Sequence, residues 1–192
     1  MTAEQATTEV LIATARRLFG QRGYGAVGTE EIVQQAGVTR GALDHHFRGG
    51  KQELFQAVLV QLSAETTRRI ARAARRDDPW QSLVAGIDAF LDACATQEVR
   101  RIMLVDGPAV LGWDVWRAID AEYKLVERAL RRAIDAGEIQ PHPPDALAQV
   151  LLGALQEAAM LVASADDQAL AREETATMIR HLLQGIRTPA VR

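Results

Sequence analysis

The chain has 192 residues, 48% hydrophobic and 24% charged, which excludes wholesale disorder and is enough for one compact domain or a small one plus a larger one. A formal net charge of −3 excludes a polycation, and six Lys and Arg against five Asp and Glu between Met1 and Gln52 leave any nucleic-acid contact to a local patch. The single cysteine, Cys94, excludes an intrachain disulfide, and with no signal-like start and no unbroken apolar run of about 18 residues, a cytoplasmic protein without membrane contact is expected.

Thr2 to Gln21 is expected as the first helix, with Leu11, Ala15, Leu18 and Phe19 on its buried face. Gly23 ends it. Gly23 to Gly28 spells GxGxxG, but a helix precedes it and no strand follows, so the dinucleotide reading lacks its βαβ setting. Glu30 to Ala36 reads as a short amphipathic helix stopped by Gly37. Thr39 is a good N-cap for a second short helix whose apolar stripe is Ala42, Leu43 and Phe47. Neither piece is long enough to be stable alone, so the two must pack together. That leaves either a plain helical hairpin or a helix-turn-helix, whose second helix reads the major groove with its N-terminal residues. In the second case Arg40 can donate twice to guanine, Thr39 and the Ala42 methyl suit phosphate or a thymine methyl, and Gly41 permits close backbone approach.

Lys51 to Arg76 reads as one long helix with Leu54, Val58 and Leu62 on one face and a run of arginines at its far end. Asp78-Pro79 caps and starts the next, to Ala95, carrying Phe90 and Cys94. Gln97 to Asp106 follows, with Met103 in an unbroken apolar run. After Gly107-Pro108 and a short turn, Trp113 to Ala136 is expected as another long helix, through Trp116 and Tyr123. Pro144 to Ala165, with Gln156 and Met160, is apolar nearly all round, and Gln168 to Gly185 has a clean apolar stripe. These last two form either a subunit interface or an ordinary monomeric core. No strand alternation or internal repeat is visible, so the fold class is all-α.

The segments LFGQRGY (Leu18–Tyr24), EEIVQQAGV (Glu30–Val38), TRGALDHHF (Thr39–Phe47) and KQELF (Lys51–Phe55) resemble the DNA-binding domain of the TetR family of bacterial regulators. The resemblance implies a three-helix helix-turn-helix domain, residues 1–50, joined by a long helix to a helical effector-binding and dimerisation domain, residues 51–192. It implies operator DNA as partner, a homodimer through the last two helices, and a small-molecule effector of unknown identity, with no cofactor. Carried over by position, the DNA-contacting set is Thr29, Thr39, Arg40, Gly41, Ala42, Asp44, His45, His46 and Lys51. Two departures stand out. Val27 and Gly28 replace the usual Thr or Ser, so the cap is either Gly28, weaker but tolerated, or Thr29. Asp44 stands where the family usually has a phosphate-contacting Tyr; it would be repelled by phosphate unless it pairs with Arg40 or Arg48 on the same face, or accepts from a cytosine. In the second domain, aromatic and sulfur residues with a few polar neighbours nominate Phe90, Cys94, Met103, Asp106, Trp113, Trp116, Tyr123, Gln156 and Met160 as ligand-binding. No nucleophile elbow, paired-carboxylate site or zinc-type ligand spacing is present, so neither an enzyme nor a metal site is expected. A ligand-independent DNA-binding dimer is the other reading of the same features.

Overall fold

The computed structural model describes residues 3–119 and 122–189, except the side chains of Ala3, Arg117, Glu122 and Tyr123. Helix α1 spans Ala3–Arg22, α2 Thr29–Ala36 and α3 Arg40–His46. Gly37 ends α2 in the left-handed region at φ 67°, where its N–H reaches Gln34 O and the next N–H reaches Val33 O; a Cβ would strain that turn. Thr39 Oγ1 accepts from Ala42 N at 3.2 Å and starts α3. The cap of α2 is the weaker of the two candidates. Gly28 holds that position with no side-chain bond, and Thr29 is already helical. Val27 does not cap; it is buried in the core.

Helix α4, Gly50–Ala73, is followed by α5, Pro79–Cys94, which Asp78 caps through Gln81 N at 2.9 Å. The Gln97–Asp106 run is not one α-helix. A single turn, α6 (Gln97–Val99), leads into a π-helical segment, Arg100–Asp106. The wider winding puts Ile102 and Leu104 inside and leaves Val105 exposed. Next come α7 (Gly107–Leu111) and α8 (Trp113–Ile119). At Gly107 a Cβ would lie 2.8 Å from Trp116 Cδ1 and 2.9 Å from Leu59 Cδ1, so a larger residue would force these side chains to shift.

The chain forms two compact units. The first combines Met1–Ala64 with Gln97–Ile119, and the second Glu65–Thr96 with Asp120–Arg192. Helix α4 therefore belongs to the first unit up to Ala64 and to the second beyond it, and the 97–119 segment falls with the helix-turn-helix. Its core shows why: Val99 and Ile102 are buried in the same cluster as Leu11, Phe19, Leu43 and Phe55, with Met103 and Trp116 packed against it. Phe19, Tyr24 and Phe55 meet with ring centroids 5.1–5.6 Å apart.

The second unit is built by α5, α9 (Glu122–Asp135), α10 (Pro144–Ser164) and α11 (Gln168–Ile186). Leu91, Leu130, Ala148, Ala159 and Val162 are fully buried there. Ion pairs tie α5 to α11: Asp88 to Arg180 at 2.9 Å and Asp92 to Arg172 at 2.7 Å. The only pairing of β type among the described residues is an isolated bridge between Ile139 and Arg187. Helix α10 is 21 residues long and its most apolar 18-residue stretch has mean hydropathy 1.6, so by length and composition alone it could cross a membrane. Here it packs on α5, α9 and α11.

Candidate nucleic-acid interface and effector cavity

Arg40 is the hub of the α3 face. Its Nε donates to both Asp44 carboxylate oxygens, at 3.1 and 3.2 Å, and its Nη1 donates to Thr29 Oγ1 and Glu30 Oε1, each at 2.9 Å. Asp44 thus adopts the intrahelical ion pair, with Arg40 as its partner. The hydrogen bond it donates to Asp44, then that to Glu30, holds the Arg40 guanidinium more firmly protonated than usual. All three side chains are well exposed, as are Thr39 and Gly41. Glu30 was not among the expected site residues, although an acidic first turn of α2 so close to Arg40 is a signal the sequence carries.

Lys51 occupies a different setting from the phosphate contact expected of it. Its Nζ donates to Tyr24 O at 3.0 Å and Val27 O at 2.9 Å, and lies 3.9 Å from the Tyr24 ring centroid. Burial lowers its pKa from the ordinary lysine value. The ammonium therefore pins the α1–α2 loop to the start of α4. His46 Nδ1 lies 3.2 Å from Thr8 Oγ1 and His45 Nε2 3.8 Å from Glu4, so the two imidazoles link the end of α3 to the start of α1. No cluster of three potential metal ligands occurs among the described residues.

The nominated ligand residues do not converge. Met103 and Trp116 belong to the first unit, where Trp116 Nε1 donates to Met103 O at 2.7 Å. Trp113 stacks edge-on against Trp116 and is 58% exposed. Asp106 accepts from the backbone N–H of Tyr24 at 2.7 Å, bracing the α1–α2 loop. Met160 is exposed, Cys94 is buried core, Gln156 is half-buried away from the cavity walls, and the Tyr123 side chain lies outside the described residues. Among the nominees whose side chains are described, only Phe90 lines the apolar cavity of the second unit.

That cavity is about 50 Å³, between Ile70 and Ala74 on one side, Leu83, Gly86, Ile87 and Phe90 of α5, and Leu125, Val126, Ala129, Leu152 and Leu155 of α9 and α10. Its one hydroxyl, Ser82, donates to Ala74 O. No described wall residue is charged. Aliphatic positions at helical spacing give no hint from sequence that they border a void rather than fill a core. The paired small residues Ala74 and Gly86 are the only local signal: a Cβ on Gly86 would sit 3.4 Å from Ala74 Cβ.

Two family models match. The one described as "Bacterial regulatory proteins, tetR family" covers residues 11–58, and "Tetracyclin repressor-like, C-terminal domain" covers residues 80–186. An HTH-type transcriptional repressor of Mycobacterium tuberculosis is 31% identical over 163 residues, 82% of this chain and 83% of that protein. The A-factor receptor protein of Streptomyces griseus is 28% identical over 192 residues, and the match spans 96% of this chain but 65% of that receptor. The crystal structure of a TetR-family transcriptional regulator from Pectobacterium atrosepticum superposes with a TM-score of 0.87 at 32% identity, covering 98% of this chain and 99% of that one.

Proposed function

The chain belongs to the TetR family of DNA-binding transcriptional regulators, and from that premise we propose that it is a homodimeric repressor released from its operator by an uncharged, apolar small molecule. The observation that carries the DNA-reading half is the Thr39-capped, exposed N-terminus of α3, with Arg40, Gly41 and Ala42 at its tip. A dimer is supported by α10 and α11, which leave Val150 71%, Leu161 54%, Met178 55% and Leu182 66% exposed on neighbouring helices. A second copy of the same two helices is a self-complementary cover for that surface.

Effector control rests on the cavity. Its described walls carry no charge and only the Ser82 hydroxyl, so a charged ligand would be buried without a charged partner there. At about 50 Å³ it is far below the roughly 300 Å³ of a small-molecule site, so binding requires the walls to part. Two of those walls, Ile70 and Ala74, lie at the end of the helix that begins beside Lys51. Parting them moves α4, and through it the reading heads of the two protomers.

The test is titration of the purified protein onto the DNA upstream of its own coding sequence and onto scrambled DNA, at two salt concentrations. Tighter, salt-dependent binding to the first, as a dimer, supports the regulator. Release by a medium-chain alcohol but not by the matching carboxylate supports an apolar effector. Binding indifferent to every neutral apolar compound favours the ligand-independent dimer instead.

A further inference from the structure

We propose that Asp44 is a positioning residue that fixes Arg40 to read one guanine end-on, and that Glu30 is a competitor which holds Arg40 back until DNA arrives. The inference rests on the DNA-reading function above and concerns how specificity is set there.

A guanidinium has five N–H groups: one on Nε and two on each Nη. Asp44 takes the Nε–H with both oxygens. That leaves the distal edge, one N–H from each Nη, as the pair able to meet guanine O6 and N7. A free arginine can also present Nε with one Nη; Asp44 removes that choice. Asp44 lies four residues from Arg40 on the same helix, so the pair enters the groove as one body. Glu30 and Thr29 sit on α2 and hold Nη1, one of the two nitrogens the base needs. Nη1 carries two N–H groups, so whichever of these two acceptors holds the distal one must let go when guanine binds. The two carboxylates also make the local charge −1 with Arg40 in place, so each weakens non-specific attraction to phosphate. Asp44 costs affinity and confers base choice, whereas Glu30 costs affinity alone.

The experiment selects bound sequences from a random duplex library with wild type, Asp44→Ala, Asp44→Asn and Glu30→Gln, and measures affinity for the wild-type consensus. Both residues are exposed, and circular dichroism checks that each variant folds. The wild type is expected to select an invariant guanine in each half-site. Asp44→Ala should lose that guanine preference roughly 10-fold while binding non-specific DNA more tightly. Asp44→Asn, whose amide oxygen still accepts from Nε, should retain the guanine. Glu30→Gln should retain it with several-fold higher affinity. An unchanged guanine in the Asp44→Ala consensus would overturn the positioning role, and loss of a cytosine instead would assign Asp44 direct contact with a base. If the wild type enriches no sequence, the DNA-reading function itself fails, an outcome distinct from either of these.

Discussion

The two units solve opposite problems. Around the reading helix, side chains are held by directional polar bonds: Lys51 to two carbonyls, Asp106 to the Tyr24 N–H, Arg40 to three oxygen-bearing partners. In the second unit the cavity is bounded by apolar groups apart from the Ser82 hydroxyl, and α10 and α11 leave Val150, Leu161, Met178 and Leu182 exposed. Directional bonds have one good geometry, so the first unit can hold base-reading groups in fixed register. Aliphatic contacts can slide and repack at low cost, so the second can admit a guest. Fixed geometry around α3 and compliance around the cavity follow from which chemistry surrounds each of them, polar in the first case and apolar in the second.

The largest effect that would break this contrast is in the first core. Phe55→Ala removes a fully buried ring that touches Phe19 and Tyr24, and should cost about 3–5 kcal/mol in chemical denaturation. A loss near 1 kcal/mol would mean this core yields as easily as the other. Next, Leu182→Asp puts a charge on the α11 face, and a two-fold interface would bury it twice. The dimer should weaken by roughly 100-fold in sedimentation, with specific DNA binding falling in step. A variant still dimeric at the same concentration would place the subunit contact elsewhere. Lys51→Ala sharpens the comparison further. With its ammonium tied to carbonyls, the expected result is a stability loss of about 1.5 kcal/mol with an unchanged salt slope of DNA binding. A slope reduced by about one with stability intact would return Lys51 to the phosphates. Smallest is Gly86→Ala, which adds a methyl beside the cavity and a better helix former. It should stabilise by roughly 0.5–1 kcal/mol and blunt the response to apolar effectors.

Legibility in the sequence tracked locality. The helix-turn-helix could be read because its signals are short-range: Gly37 at the turn, Thr39 three residues before Ala42, Leu43 and Phe47 on one stripe. Asp78-Pro79 marked the start of α5 for the same reason. Met103, Asp106 and Trp116 are nominated on aromatic, sulfur or polar character beside apolar runs, and such composition does not say which core receives a residue. Their partners, Tyr24 and the α1 cluster, lie about eighty positions away in sequence, a distance no local pattern spans. Lys51 meets the same limit, since no local pattern reports that its ammonium reaches the Tyr24 and Val27 carbonyls. A lysine at a helix start reads as a phosphate contact until the two carbonyls beneath it are seen.

The first unit is assembled from two stretches of chain, with α5 intervening between them. That bears on anyone hoping to graft this operator-reading head onto another sensor. A chimaera joined at residue 50, or even at residue 64, would leave Val99, Ile102 and Trp116 with the discarded half and open the floor beneath Phe19 and Phe55. A transplant that keeps its shape must carry residues 97–119 along, so the natural seam for exchange is spatial rather than a single cut in the gene.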